Sequence, residues 1–199
     1  METMDTYAFC ALLGRMKYIT RWGLMRATRT ENLSEHTAET AVIAHVLALI
    51  DTGLPGGQAV RPETVAVAAL YHDASEILTG DMPTPVKYKN ETLRTAYKAL
   101  EKESACSLAK LLPEALRPAL RPYLTGEALT AREATLLKAA DCLSALVKCL
   151  EEESAGNTEF RSAKAQQLEK LRGMACPAAD YFVAHFLPCY EKDLDELTK

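Results

Sequence analysis

Apolar residues recur at intervals of three and four almost throughout this chain of 199 residues. That spacing places them on one face of an α-helix, whereas a half-buried strand would alternate apolar and polar residues. We find no alternating run of β-branched residues long enough to predict a strand. The pattern therefore predicts an all-α fold, and the length fits a single domain spanning residues 1–199.

Caps, glycines and prolines suggest where the helices begin and end. Ser34 is a plausible N-cap, Pro62 suits the first turn of a helix, and Thr130 with Glu133 forms a capping box. The prolines within residues 81–85 predict a loop there. We expect helices at about residues 6–19, 34–50, 62–79, 90–112, 130–150, 159–171 and 178–187.

Charge and composition argue against several classes of protein. The net charge is −4 and no dense lysine or arginine run is present, so binding to polymeric nucleic acid would lack its usual electrostatic basis. No window approaches the 18 apolar residues of a membrane span, and the acidic first residues do not resemble a signal peptide. Six scattered cysteines without a CxxC spacing fit a reduced, cytoplasmic protein.

Four polar residues interrupt apolar helical runs: His36, His72, Asp73 and Asp141. Taken singly, each also fits a structural role, such as a hydrogen-bonded core histidine or half of a buried ion pair. Two imidazoles and two carboxylates together are ligands for a first-row divalent ion. An unpaired buried carboxylate is costly, which favours a cation beside Asp141. We therefore predict one bound ion of cobalt, manganese, zinc or iron.

Glu76 is the candidate catalytic residue. It follows His72 by four residues, so a continuous helix would place both side chains on one face. A carboxyl group there could orient or deprotonate a water molecule, or pass a proton to a departing oxygen. A divalent ion nearby would activate that water and bind a phosphate oxygen.

Longer strings of the sequence resemble the bacterial HD-domain 5'-deoxynucleotidases, a branch of the metal-dependent HD phosphohydrolases. The resemblance extends from Phe9 to about Leu197, which is nearly the whole chain. Its visible departure is Met82, where leucine is expected, and that exchange is conservative. The similar strings are RW at residues 21–22, RTEN at 29–32, SEH at 34–36, YHDASE at 71–76, LTGD at 78–81, PTPVKY at 83–88 and KCLEE at 148–152.

The resemblance implies an HD-domain helical bundle that forms a homodimer and hydrolyses deoxyribonucleoside 5'-monophosphates to deoxynucleoside and phosphate. It implies selection against ribonucleotides and a metal, often cobalt or manganese, held by the four ligands, with Glu76 essential for the chemistry. The residues that the resemblance implies for substrate binding are Arg21, Trp22, His36, Asp73, Asp81, Met82, Pro83 and Thr84.

Three of these residues have a specific expected contact. Arg21 offers a planar fork for phosphate oxygens. Trp22 would pack on the sugar and leave no room for a 2'-hydroxyl, while Asp81 would accept a hydrogen bond from the 3'-hydroxyl. Each has a simpler interpretation as well: a surface arginine, a core tryptophan and a turn aspartate.

Two other functions stay open at this point. The chain could be an HD phosphohydrolase for another nucleotide, such as a triphosphate or a cyclic nucleotide, although the flanking loops have few basic residues for a larger polyphosphate. It could also be a catalytically silent nucleotide-binding scaffold, against which the complete ligand set and Glu76 argue. The helices predicted at 90–112 and 159–171 are candidate dimer surfaces.

Overall fold

A computed structural model describes residues 6–55, 57, 59–87 and 89–199, and there the chain consists of α-helices joined by turns. Extended pairing in that part of the chain is limited to an antiparallel bridge between Thr20 and Asn32. The predicted all-α class is confirmed. The helices are α1 (Phe9–Leu13), α2 (Leu33–Gly53), α3 (Pro62–Tyr71), α4 (Glu76–Thr79), α5 (Thr84–Lys87), α6 (Glu91–Lys110), α7 (Arg117–Thr125), α8 (Ala131–Ser154), α9 (Arg161–Gly173), α10 (Pro177–His185) and α11 (Leu194–Leu197).

The long helix α8 is the centre of the main core. It packs against α2, α3, α9 and α10, and its apolar side chains at Leu136, Leu143 and Leu146 are completely buried. Leu47 of α2 and Val65 of α3 complete this apolar cluster. Burying each such side chain contributes about 1.5–3 kcal/mol, so the cluster fixes α2, α3 and α8 relative to one another.

A second apolar cluster joins α1, α6 and α7. Its members include Phe9, Leu108 and Leu124, and it also contains Ala74 from the turn that follows α3. Ala69, five residues earlier, belongs to the main core. The turn at residues 72–75 therefore lies where the two clusters meet, and packing on both sides holds it in place.

The start of α8 is stabilised by the predicted capping box, which the structure confirms: Thr130 and Glu133 bond each other's backbone amides. The expected N-cap of α2 at Ser34 is wrong. Asn32 is the N-cap, and its side chain accepts hydrogen bonds from the backbone amides of Ser34 and Glu35. An asparagine with extended backbone reaches those amides as well as a serine would.

The helix predicted at residues 62–79 is wrong in its second half. Here α3 ends at Tyr71, and a tight turn with i to i+3 hydrogen bonds separates it from α4. Nδ1 of His72 donates to the carbonyl oxygen of Ala69 at 2.6 Å. In a continuous helix, that carbonyl would accept from the backbone amide of Asp73. The side chain thus captures the acceptor that continuation would need.

Other boundaries differ by smaller amounts. The predicted helix at residues 6–19 consists of α1 followed by a 3₁₀ segment, Gly14–Tyr18. The predicted loop at residues 81–85 is correct for residues 81–83, but residues 84–85 belong to α5. Pro85 fits the first turn of α5 because a backbone amide at that position has no helical hydrogen-bond partner. Tyr88 lies outside the described residues. Among the described helices, none is long and apolar enough to cross a membrane.

Candidate active site

Three separate segments bring the four predicted metal ligands together. His36 projects from α2, His72 and Asp73 come from the turn after α3, and Asp141 lies in the middle of α8. Nε2 of His36 lies 3.5 Å from Oδ2 of Asp73 and 3.4 Å from Oδ1 of Asp141. Nε2 of His72 lies 3.1 Å from Oδ2 of Asp73. Two imidazole nitrogens and two carboxylates therefore converge on one point.

Hydrogen bonds on the far side of each imidazole fix the nitrogen that faces the cluster. Nδ1 of His36 lies 3.0 Å from Oγ of Ser144, and that hydroxyl donates to Oε2 of Glu39 at 2.6 Å. The hydroxyl proton is thereby committed, so Nδ1 of His36 is assigned as the donor to Ser144. Because His72 donates from Nδ1 to Ala69, Nε2 is the nitrogen of both histidines that faces the cluster, and it is the atom that a neutral imidazole would offer to a metal.

The ligand set fits a divalent cation. Nε2 of His36 and Nε2 of His72 are buried and have no hydrogen-bond partner among the described residues. One ligand atom from each of His36, His72 and Asp73 falls within 4.8 Å of the others. Buried polar atoms normally find a partner in the protein or in solvent, so unsatisfied nitrogens beside carboxylates indicate a site for a positive ion.

The electrostatics of the site favour positive charge in the same way. Burial opposes protonation of His72, but Asp73 outweighs burial and raises the pKa of His72 to about 9. Burial likewise opposes ionisation of Asp73, yet His72 and His36 hold the pKa of that carboxyl far below its ordinary value. Lys138 and His36 overcome burial at Asp141 and lower its pKa well below the usual range. Both carboxylates are therefore anionic at neutral pH.

Glu76 lies beside the cluster, on α4 rather than on the His72 face of one long helix. Its side chain is buried, and Oε2 has no hydrogen-bond partner within the described part of the chain. Burial and the nearby carboxylates of Asp73 and Asp81 raise the pKa of Glu76 to about 9. A carboxyl group with that pKa holds a proton near neutral pH, so it can act as a proton donor.

A cavity of about 530 Å³ opens next to the cluster. Its size falls within the range of small-molecule sites, roughly 300–1,000 Å³. His36 and His72 do not line the cavity, and the imidazole of His36 is fully buried. The residues predicted for metal, substrate or catalysis that line it are Arg21, Trp22, Asp73, Glu76, Asp81, Met82, Pro83, Thr84 and Asp141.

Arg21 and Trp22 share a buried acceptor that the sequence did not reveal. Nη1 of Arg21 and Nε1 of Trp22 both donate to Oε2 of Glu31, at 2.9 Å and 2.7 Å. The indole ring also packs on Phe160, with ring centroids 5.2 Å apart. Burial raises the pKa of Asp81, and the positive charge of Arg21 and the backbone amide of Trp22 partly offset this increase. Both predicted substrate loops therefore face the same space.

Several cavity residues escaped prediction. Lys138 precedes Asp141 by three residues and bonds its Oδ2 at 2.6 Å, a helical spacing that could have pointed to it. Lys87 bonds Glu101 at 2.6 Å and also lines the cavity. Helix α9, which the sequence showed only as a charged helix, forms another part of the cavity wall. Its contributions are Ser162, Ala163, Gln166, Gln167 and Lys170.

Two residues of the KCLEE string, Lys148 and Glu152, hold the loop that carries Arg21 and Trp22. Lys148 and Glu152 form a buried ion pair on α8 at 2.5 Å. Glu152 also accepts from the backbone amide and hydroxyl of Thr28, at 2.8 and 2.9 Å. Lys148 donates to the carbonyl oxygen of Arg29 at 2.6 Å. Asp141, Ser144, Lys148 and Glu152 thus occupy one face of α8 at spacings of three and four.

Comparison with known proteins identifies a family that this chain resembles over most of its length. A family model described as 5'-deoxynucleotidase YfbR-like matches residues 8–190. A 5'-deoxynucleotidase of Citrobacter koseri is 46% identical over 191 residues, which cover 96% of each chain. The 5'-deoxynucleotidase YfbR of Salmonella typhi shows the same identity and coverage.

Two solved structures with similar folds are HD-domain phosphohydrolases. An HD-domain phosphohydrolase from Listeria innocua superposes with a TM-score of 0.73 at 23% identity, covering 96% of this chain and 92% of the other. The cyanophage S-2L HD phosphohydrolase, bound to dA and one catalytic Zn²⁺ ion, gives a TM-score of 0.66 at 18% identity over 97% and 100% of the two chains. The predicted HD-domain fold is confirmed.

Proposed function

Because the chain belongs to the YfbR-like 5'-deoxynucleotidase family, we propose that it hydrolyses deoxyribonucleoside 5'-monophosphates to deoxynucleoside and phosphate. The resemblance inferred from the sequence is confirmed by the family match. The observation that carries the proposal is the pair of unsatisfied Nε2 atoms, on His36 and His72, beside two carboxylates and a nucleotide-sized cavity. We take residues 1–199 as one HD domain.

The residues that would hold the metal are His36, His72, Asp73 and Asp141. A divalent ion bound there supplies Lewis-acid stabilisation of the phosphate and lowers the pKa of water toward neutrality. Two imidazoles and two carboxylates suit cobalt, manganese, zinc or iron. Metal-free protein reloaded with each ion in turn, assayed for phosphate release and for bound ion, ranks these four.

Phosphate recognition and proton transfer fall to side chains of the cavity. Arg21 binds phosphate oxygens through its guanidinium fork, because planar N–H pairs match two oxygens of one phosphate. Glu76 holds a proton near neutral pH and delivers it to the departing 5'-oxygen. The raised pKa of Glu76 supports the donor role over deprotonation of water.

Sugar recognition uses the two loops. Trp22 packs against the deoxyribose, and Asp81 accepts a hydrogen bond from the 3'-hydroxyl. Met82, Pro83 and Thr84 continue the same wall of the cavity. A Trp22→Ala variant should hydrolyse deoxy- and ribonucleotides with more similar kcat/KM than the parent protein. Retention of both rate and deoxy preference would remove Trp22 from this account.

We also propose that the enzyme works as a homodimer in the cytoplasm. The support is apolar surface on two neighbouring helices: Val42 and Leu49 lie seven residues apart on one face of α2, 66% and 52% exposed, and Leu70 of α3 is 45% exposed. Sedimentation equilibrium should give twice the chain mass, and Val42→Asp should shift the protein toward the monomer. A monomeric parent protein would contradict this assembly.

A substrate panel tests the proposed activity. Phosphate release is measured from deoxyribonucleoside and ribonucleoside mono- and triphosphates and from cyclic nucleotides, with EDTA and with each added metal. We expect EDTA-sensitive release from deoxyribonucleoside monophosphates alone. Preferred turnover of a triphosphate or cyclic nucleotide would establish another HD phosphohydrolase activity, and absence of turnover despite bound metal would indicate a silent scaffold.

A further inference from the structure

Glu31 is a buried carboxylate that joins the two side chains expected to contact phosphate and sugar. A single oxygen, Oε2, accepts from Nη1 of Arg21 and from Nε1 of Trp22. Glu31 is 9% exposed, and the side chain of Arg21 is 13% exposed. Two donors on one buried oxygen fix the guanidinium and the indole relative to each other, because neither can turn without losing a charge-assisted hydrogen bond.

The backbone reinforces this link. The amide of Arg21 donates to the carbonyl oxygen of Glu31 at 3.0 Å, and that of Leu33 donates to Ile19 at 2.9 Å. Glu31 is therefore tied to Arg21 through main chain and side chain alike. Trp22 has φ of 61°, a left-handed conformation that bulky residues adopt only where their surroundings hold them. The position of the indole is thus set by the structure around it.

The arrangement leaves part of Arg21 available to a ligand. Glu31 engages Nη1, whereas Nε, on the other edge of the guanidinium, is buried without a hydrogen-bond partner in the described part of the chain. Arg21 and Trp22 both line the cavity that Asp73 and Asp81 also line. One edge of the guanidinium is held by the protein, and the other can meet the oxygens of a phosphate.

We propose that Glu31 is a positioning residue that determines sugar specificity. It sets the separation between the phosphate-binding guanidinium and the indole plane, so that a 5'-monophosphate seated on Arg21 brings its C2' against Trp22, where a hydroxyl does not fit. This inference rests on the proposed deoxynucleotidase function. The inference concerns how the phosphate contact of Arg21 and the sugar contact of Trp22 are held at a fixed separation.

Glu151 supplies the matched control. It is an exposed carboxylate of α8 that lines the same small cavity of about 90 Å³ as Glu31. It has no hydrogen bond to Arg21 or Trp22 among those the structure gives. Glu151→Gln therefore removes a negative charge from the neighbourhood of Glu31 and leaves the link intact.

The experiment compares Glu31→Gln with Glu151→Gln. kcat and KM are measured for deoxyadenosine and adenosine 5'-monophosphate, and intrinsic fluorescence is recorded because Trp22 is the only tryptophan. We expect Glu31→Gln to raise the KM for the deoxynucleotide about tenfold, to lower the deoxy-to-ribo ratio of kcat/KM several-fold, and to shift the emission maximum. Glu151→Gln should leave all three unchanged. An unchanged ratio and emission in Glu31→Gln overturn the proposal.

A second variant tests the link without altering Glu31. Trp22→Phe keeps an aromatic ring and removes the N–H that donates to Glu31. It should lower the deoxy-to-ribo ratio in part, and adding Glu31→Gln should then lower that ratio by a smaller factor than in the parent protein. Fully additive effects would contradict a shared role. Circular dichroism and melting temperature establish that each variant is folded.

Failure of the activity itself gives a different result. Binding of deoxyadenosine 5'-monophosphate is followed by quenching of Trp22 emission in EDTA, where no turnover occurs. Parent protein that binds this nucleotide more tightly than adenosine 5'-monophosphate in EDTA, but releases no phosphate when each metal is added, would refute the proposed hydrolysis. Weaker discrimination in Glu31→Gln would still support the positioning role. Equal discrimination in both proteins would overturn it.

Discussion

Buried polar groups at the start of α8 and beside its middle differ in how many of their hydrogen bonds are satisfied by the protein. At the start, Glu133 accepts hydrogen bonds from the backbone and guanidinium of Arg61 and from the backbone of Thr130. These bonds, the one to the guanidinium foremost, lower the pKa of Glu133 to about 2. Beside the middle of α8, by contrast, Nε2 of His36 on α2 and Oε2 of Glu76 on α4 have no hydrogen-bond partner among the described residues.

This difference separates stability from function along one helix. A buried charge that the chain satisfies by itself stabilises the fold, whereas a buried polar atom left without a partner lowers stability until a ligand binds. Changes in the middle of α8 should therefore reduce activity at little cost in stability. Changes at its start should do the opposite.

The largest effect is expected for Asp141→Ala. Loss of one of four ligands should remove stoichiometric metal and reduce phosphate release by at least about a thousandfold, since metal chemistry supplies much of the acceleration. The melting temperature in EDTA should change little. Elemental analysis and steady-state kinetics measure metal content and phosphate release, with Asp180→Ala, an exposed residue of α10, as the control. Normal turnover with bound metal would refute the site.

Glu76→Gln should lower kcat by roughly 100- to 10,000-fold with metal content unchanged. The same substitution should also change how stability depends on pH. The pKa of Glu76 is about 9 in the folded protein and about 4.5 in the unfolded chain, so between these pH values the unfolded chain has lost this proton while the folded protein keeps it. The parent protein in EDTA should therefore lose stability relative to Glu76→Gln between pH 4.5 and 9. Parallel denaturation curves across that range would contradict the raised pKa.

Ser144→Ala should weaken metal binding about 10- to 100-fold, as expected when a hydrogen bond behind a ligating histidine is lost. Calorimetric titration of the metal-free protein with zinc or manganese measures this directly. Ser154→Ala, an exposed change near the end of α8, is the control. Unchanged affinity in Ser144→Ala would show that the hydrogen bond to Ser144 is not what orients His36, since Oγ1 of Thr40 also lies 3.5 Å from Nδ1.

The smallest effect on activity, and a clear one on stability, is expected for Glu133→Gln. Losing the charged acceptor should lower the free energy of unfolding by about 1–2 kcal/mol at pH 7, with kcat unchanged. The folded pKa of Glu133 is depressed, so its contribution is complete above about pH 4.5 and disappears as pH falls toward 2. Urea denaturation from pH 7 to 3 measures it, with exposed Glu63→Gln as the control.

Periodicity and caps predicted the fold well where helices are long. α2, α6, α8 and α9 lie near their expected places because their helical periodicity and, for α8, the capping box are local signals. The break after Tyr71 could not be foreseen, since residues 72–75 contain neither glycine nor proline. It depends on the imidazole of His72 bonding Ala69 and on Ala74 packing into the second cluster, which are tertiary effects.

The candidate site divides in a similar way. That the four proposed ligands cluster, with Glu76 beside them, could be predicted because these residues are polar in apolar surroundings or match a known pattern; their roles stay a prediction. The supporting residues could not: Ser144 is 108 positions from His36, and Glu152 is 124 positions from Thr28. Glu31 lies in the RTEN string at residues 29–32, yet nothing in the neighbouring sequence indicates that one of its oxygens accepts hydrogen bonds from both Arg21 and Trp22.

The single face of α8 that carries Asp141, Ser144, Lys148 and Glu152 limits how this chain can change in length. One inserted residue would rotate everything beyond it by about 100° and advance it by about 1.5 Å. An insertion between Asp141 and Glu152 would thus turn the loop anchor away from the metal ligand. Residues 141–152 should therefore keep a fixed count and tolerate neither insertion nor deletion.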